Sequence, residues 1–109
     1  MNHGLSAPTV ERIGTVLAHY SEIEKAVLYG SRAKGNYKNG SDIDLTFFGD
    51  HDLTLNILVR IDEELDDLML PYMFDLSIYK TLTDPDFIEH IQRVGVVFYE
   101  RSTTERMAA

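Results

Sequence analysis

Apolar residues recur along this chain with a helical period in three places and with a period of two in two others. The helical stripes predict a helix that begins near Ser6 with Pro8 in its first turn, a helix over residues 53–69, and a helix that begins at Asp84 and Pro85. The inward-facing apolar positions of these helices are Val10, Ile13, Val16 and Leu17, then Ile57, Leu58, Ile61, Leu65 and Leu68, then Phe87, Ile88 and Ile91.

Strands are expected where apolar and polar residues alternate or where a short apolar run is bounded by turn residues. Residues 24–29, 42–48 and 72–79 fit this description, and residues 96–99 either add a short strand or close the domain. A short helical turn is expected at 31–34, followed by a loop. The resulting order of helices and strands predicts an α/β (α+β) fold, a two-layer mixed β-sheet covered by helices.

The length of 109 residues indicates one domain, residues 1–109, with its core at about 10–100 and a flexible tail at 101–109. The sequence contains no cysteine, no signal-peptide pattern and no apolar run that could span a bilayer. We therefore expect a cytoplasmic protein with no membrane partner. The net charge of −8 argues against binding to long nucleic acid, which requires a cationic surface.

Charge is unevenly distributed along the chain. Residues 30–40 contain Arg32, Lys34 and Lys38 and no acid, whereas residues 62–67 contain five acids in six positions. The basic turn suits phosphate groups. The acidic segment is interpreted as a solvated helix face, and a surface for a basic partner is the alternative.

The candidate chemistry lies in and directly after the basic turn. Side chains alternate along a strand, so Asp42 and Asp44 point to the same face while Ile43 points to the other. Two neighbouring carboxylates repel each other unless a cation lies between them, and Mg²⁺ bound by oxygen ligands normally arrives with a phosphate. Gly30 and Ser31 begin the turn that would hold that phosphate. The pattern predicts a site for a metal and a nucleotide.

Gly30-Ser31, a ten-residue gap and Asp42-Ile43-Asp44 resemble the signature of the DNA polymerase β-like nucleotidyltransferase superfamily. The short chain is most similar to minimal nucleotidyltransferases, of the kind that act as MntA-type antitoxins beside HEPN-domain proteins. The resemblance implies two Mg²⁺ ions, ATP as the substrate, and a third carboxylate on a later strand, which Asp75 matches by its context.

These implied roles define the candidate site residues. The catalytic and metal-binding residues are Asp42, Asp44 and Asp75, and the nucleotide-binding residues are Gly30, Ser31, Arg32 and Lys34. The resemblance further implies that AMP is transferred to a tyrosine hydroxyl of a HEPN toxin. Two alternatives remain open from the sequence: a catalytically silent module that binds a nucleotide or neutralises a partner, and transfer to a small molecule or an RNA end.

Two other motifs are excluded because residues that they require are missing. Gly30 and Gly35 have the spacing of a P-loop, but Asn36 and Tyr37 follow where lysine and serine or threonine are required. A calcium loop that begins at Asp42 lacks its glycine.

Overall fold

A computed structural model describes residues 3–38 and 40–101 of the chain, and within them helices and strands follow the predicted order. A short 3₁₀ turn, Tyr79–Thr81, follows the third strand. The helices are α1 (Ala7–Ala18), α2 (Gly30–Lys34), α3 (Leu55–Asp66) and α4 (Pro85–Val94), and the strands are β1 (Lys25–Tyr29), β2 (Ile43–Phe48), β3 (Phe74–Ile78) and β4 (Val96–Glu100).

The three longer helices begin at polar caps. The side chains of Ser6, Thr54 and Asp84 each accept a hydrogen bond from a backbone N–H in the first turn of the helix that follows. Helix α3 is shorter than the predicted 53–69. The Thr54 cap places its start at residue 55, and the chain leaves the helix after residue 66 and reaches Met69, which adopts a left-handed φ of 57°.

The four strands form one mixed sheet in the order β3-β2-β1-β4. Strand β1 is antiparallel to both β2 and β4, whereas β2 and β3 are parallel. Of the two alternatives for residues 96–99, the structure shows the strand, because β4 pairs with β1. The register places Asp44 opposite Tyr29 on one side and opposite Asp75 on the other.

The main core lies between α1, α3 and one face of the sheet. Ile43, Leu45 and Phe47 of β2 face this core and are fully buried. The predicted packing of helices on a mixed sheet is confirmed, but α4 lies on the opposite face. There Ile91 and Phe87 pack against Val27 and Tyr29 of β1. Helix α4 therefore adds a third layer over β1 and leaves the second face of β2 and β3 less covered.

The predicted flexible tail begins at residue 101, and Arg101 itself is anchored. Its backbone N–H donates to the carbonyl of Glu24, and its guanidinium donates to the carbonyls of Tyr20 and Ile23. The remaining tail residues, 102–109, lie outside the described part of the chain. Among the helices that the structure describes, none is long and apolar enough to cross a membrane.

Candidate active site

The turn between β1 and α2 brings the backbone of Gly30 against the carboxylate of Asp44. Gly30 has a φ of 77°, which side chains other than glycine rarely adopt. A Cβ atom at this position would also collide with Oδ2 of Asp44. Because Tyr29 pairs with Asp44 in the sheet, the chain turns immediately beside this carboxylate. Glycine is therefore required here both by the backbone and by the acid.

Two carboxylates lie side by side on the sheet face that carries α4. Asp44 and Asp75 are directly paired across the parallel strands β2 and β3, where neighbouring strands are about 4.8 Å apart. Asp44 is half-buried and Asp75 is exposed. Asp42 precedes β2 by one residue, is exposed, and lies close enough to influence the charge of Asp44. The structure thus brings together the three carboxylates named from the sequence.

The electrostatics of this cluster oppose ionisation of Asp44. Burial is the largest cause that raises the pKa of Asp44 to about 6, followed by the negative charges of Asp75 and then Asp42. The positive charge of Arg32 acts in the other direction and lowers this pKa. At neutral pH Asp44 is ionised despite this repulsion, and a bound cation would neutralise the charge. The site therefore favours cation binding.

The carboxylates fit Mg²⁺ in chemistry, although the protein alone does not form a closed cage. In residues 3–38 and 40–101, no group of three or more His, Cys, Asp or Glu side chains is arranged to hold a metal ion. Mg²⁺ usually keeps several water molecules and binds one or two carboxylates together with substrate phosphates. An open cluster around Asp44 is compatible with an ion that arrives with a nucleotide, and Asp42 and Asp75 are the residues that could join it.

Arg32 is buried and turned toward the backbone of its own loop. Its Nε and Nη2 donate to the carbonyl of Ser41 at 3.1 and 2.9 Å, and Nη1 donates to the carbonyl of His3 at 2.9 Å. The guanidinium also lies over the rings of Tyr37 and Tyr72. This geometry favours a role in fixing the residues that precede Asp42 over the direct phosphate contact predicted from the sequence.

The other residues of the turn are more accessible. Ser31 is the second residue of α2, and its carbonyl accepts hydrogen bonds from the backbone of Gly35 and Asn36, which closes the turn. Lys34 is exposed at the last position of α2, and Lys38 is exposed in the following loop. Nucleotide contacts by Ser31 and Lys34 stay predictions.

A polar contact beside the acids was not predicted from the sequence. The hydroxyl of Tyr29 is hydrogen-bonded to Ser77, and Ser77 donates to Thr46 at 2.9 Å. Burial, Asp75 and Asp44 together raise the pKa of Tyr29 to about 12, so this phenol stays protonated. The sequence signal was the strand predicted at 24–29, in which Leu28 and Tyr29 point to opposite faces. Only the register with β2 shows that the face of Tyr29 carries the acids.

Comparison with known proteins agrees with this site. The family model described as "Polymerase beta, Nucleotidyltransferase" matches residues 11–104. The chain is 37% identical over 76 residues to the probable protein adenylyltransferase MntA of Haemophilus influenzae, a match that covers 70% of this chain and 66% of that protein. The match therefore spans slightly less than two thirds of that relative.

Several solved structures share the fold. One is a toxin–antitoxin structure with AMP-PNP, which has a TM-score of 0.68 and 15% identity and covers 90% of this chain and 78% of the other. The second is a tri-AMPylated HEPN toxin of Shewanella oneidensis in complex with an MNT antitoxin, with a TM-score of 0.64, 13% identity, and coverage of 92% and 76%. Together with the family model, these similarities confirm the resemblance seen in the sequence: this chain belongs to the polymerase beta nucleotidyltransferase family.

Proposed function

We propose that this chain is a nucleotidyltransferase that transfers AMP from ATP to a hydroxyl group of a protein partner. The observation that carries the proposal is the pairing of Asp44 with Asp75 beside the Gly30 turn, with the pKa of Asp44 raised by burial and by its acidic neighbours. A cation relieves the repulsion between such carboxylates, and Mg²⁺ usually takes further oxygen ligands from substrate phosphates. Family membership and the MntA relative support the same reaction.

The residues of the site would have different roles in the reaction according to their positions. The backbone of the Gly30 turn and Ser31 would hold phosphate oxygens, while Asp42 and Asp44 would orient the triphosphate through its bound cations. Two Mg²⁺ ions, when bound, would neutralise the phosphate oxygens and lower the pKa of the attacking hydroxyl. Asp75 is exposed and would accept the hydroxyl proton as the oxygen attacks the α-phosphorus. The bond to the departing pyrophosphate breaks as the new ester forms.

The partner proposed for this reaction is a HEPN-domain toxin, with a tyrosine hydroxyl as the acceptor and this chain as the antitoxin. The MntA relative bears the name of a protein adenylyltransferase, and a protein with the same fold forms a complex with an AMPylated HEPN toxin. Location in the cytoplasm stays a prediction from the sequence.

Intact-mass spectrometry tests the proposal directly. The chain is incubated with ATP, Mg²⁺ and the HEPN-domain protein encoded beside it, and the partner should gain one or more AMP groups. The Asp44→Asn and Asp75→Asn variants should lower the rate of this gain by about 10³-fold or more, since the first removes a carboxylate that orients the triphosphate and the second removes the proton acceptor of the attacking hydroxyl.

The matched control is Asp50→Asn, which removes one exposed acid just beyond the other end of β2. This variant should transfer AMP at the rate of the unchanged chain. A partner that gains no mass although it forms a stable complex would contradict the transferase proposal and support the silent binding module instead.

A further inference from the structure

Exposed apolar side chains are concentrated on one side of the molecule. Five large hydrophobic residues are exposed among those described, and four of them belong to α3 or to the segment that leads into β3. Leu55 and Val59 lie one turn apart on α3, and Met69 and Met73 precede β3. Exposed apolar groups gathered in one region are typical of a protein-binding surface.

A groove runs between α3 and β3 within this region. Leu58 and Val59 line one part of it together with Phe74 and Leu76 of β3. The adjoining part is lined by Met73 and by the acids Asp62, Glu63 and Asp66. The groove therefore has an apolar floor and an acidic rim, and we refer to it below as the α3–β3 groove.

Strand β3 borders this groove with a free edge. It is the last strand of the sheet, and no other strand in the described part of the chain pairs with its outer side. The carbonyl of Met73 accepts from Ile43 of β2 at 2.9 Å, so backbone groups of Met73 point inward. Because backbone direction alternates along a strand, the N–H and C=O groups of Phe74 and Leu76 point outward. These groups can accept an additional strand.

We propose that an extended segment of the acceptor protein adds to the sheet along β3, with basic residues beside the acidic rim. The proposal rests on the proposed function, because it identifies how the acceptor reaches the site. Apolar side chains of the segment would enter the groove near Val59, and the alternate side chains would lie on the face that carries Asp75. A hydroxyl-bearing residue in register with Asp75 would stand about 4.8 Å away, the spacing of neighbouring strands.

The negative charge of the groove rim favours a basic partner segment and disfavours a second copy of this chain. Asp62, Glu63 and Asp66 present only negative charge at the rim, and the whole chain has a net charge of −8. Two copies paired along β3 would bring like charges together, whereas lysine or arginine residues that flank an apolar segment would complement the rim. The edge of β3 also connects the two regions, since Phe74 and Leu76 line the groove on one face of the sheet and Asp75 lies on the other.

Matched substitutions test the surface. Val59→Lys and Met73→Lys place a positive charge on the apolar floor, and each should weaken binding of the HEPN-domain protein by at least about tenfold. Val97→Lys on β4 is the control, because Val97 is 53% exposed and Val59 is 50% exposed, but Val97 lies at the opposite edge of the sheet. All three variants should keep the melting temperature of the unchanged chain and the shift that ATP with Mg²⁺ produces.

A photo-crosslinking residue at position 59 then identifies the segment that binds. Its crosslinked peptide should contain apolar residues flanked by lysine or arginine and a hydroxyl-bearing residue. The same residue at position 97 should give no crosslink to the partner. Binding is measured without turnover, so a failure of AMP transfer leaves this test intact. Wild-type affinity in the Val59→Lys variant, absence of a complex with the unchanged chain, or a crosslink to a helix of the partner or to a second copy would each overturn the proposal.

Discussion

The two faces of β2 differ in what they contribute: one is part of the apolar core, and the other carries the acid Asp44. Ile43, Leu45 and Phe47 face α1 and α3 and are fully buried in the apolar core. The intervening Asp44 lies on the other face, where its neighbours are the acids Asp42 and Asp75 and the backbone of Gly30. One strand thus supplies both the centre of the core and the centre of the candidate active site.

The core residues stabilise the folded state, whereas the ionised form of Asp44 destabilises it. Burial of the core side chains stabilises the protein by roughly 1.5–3 kcal/mol each. Burial of Asp44 among like charges instead favours its neutral form. Strained electrostatics persist only where the surrounding structure is stable enough to maintain them, and such positions are characteristic of functional sites. Substitution of a buried apolar side chain should therefore lower the free energy of unfolding, whereas neutralising Asp44 should raise it.

The largest expected effect is on the core face. Phe47→Ala should lower the free energy of unfolding by about 3–5 kcal/mol, because a large, fully buried side chain leaves a cavity. Phe48→Ala is the matched substitution on the other face. Phe48 is half-buried, stacks on Tyr79 with ring centroids 4.4 Å apart, and lies under the ammonium of Lys25. Its loss should cost about 1–2 kcal/mol. Urea denaturation compares the two, and equal losses would contradict the distinction between the faces.

A smaller loss of stability is expected at Arg32, which joins α2 to the backbone at His3 and Ser41. Arg32→Lys keeps the charge but cannot donate to the carbonyls of both Ser41 and His3, so the free energy of unfolding should fall by about 2 kcal/mol. Lys34→Arg is the control on the same helix, and at this exposed position the change should stay within about 0.5 kcal/mol. If the Arg32 variant instead keeps its stability and loses affinity for ATP, Arg32 binds phosphate as first predicted from the sequence.

The contrast between Asp44 and Arg32 shows what the sequence can predict. Alternation along a strand depends only on backbone geometry, so the placement of Asp44 on the face opposite to Ile43 could be read from residue order. The partners of Arg32 are backbone carbonyls of His3 and Ser41. Such groups are present in every residue, and their positions depend on how distant segments pack. Nothing in the sequence around Arg32 could show whether its guanidinium binds the loop backbone or a phosphate group.

The pairing of the strands is the second feature that could not be predicted from the sequence. The context of Asp75 suggested a third carboxylate, but only the parallel register of β2 and β3 puts it opposite Asp44. Likewise, the apolar stripe of α4 predicted a helix that packs on the sheet without indicating which face it would cover. Strands β3 and β4 lie at opposite edges of the sheet, so α4, which connects them, has to cross the sheet and lies over β1.

The smallest expected change is at Asp44, where a substitution should raise the free energy of unfolding. Raising its pKa to about 6 corresponds in full to about 3 kcal/mol, which solvent screening of a half-buried carboxylate reduces to about 1–2 kcal/mol. Asp44→Asn removes this charge and should therefore increase the free energy of unfolding by about 1–2 kcal/mol at pH 7.5 in EDTA. Urea denaturation of the variant and the unchanged chain at a series of pH values measures the difference.

The sign follows from proton linkage. Because the folded state holds a proton on Asp44 up to about pH 6, the stability that this proton provides is fully present below the pKa of the unfolded chain, near 4, and is lost as the pH rises through about 6. The advantage of Asp44→Asn should thus grow between pH 4 and 6.5 and then level off. Mg²⁺ with ATP should stabilise the unchanged chain at pH 7.5 but not the variant. A variant less stable than the unchanged chain at pH 7.5 would make Asp44 a structural acid, and the contrast between the two faces of β2 would disappear.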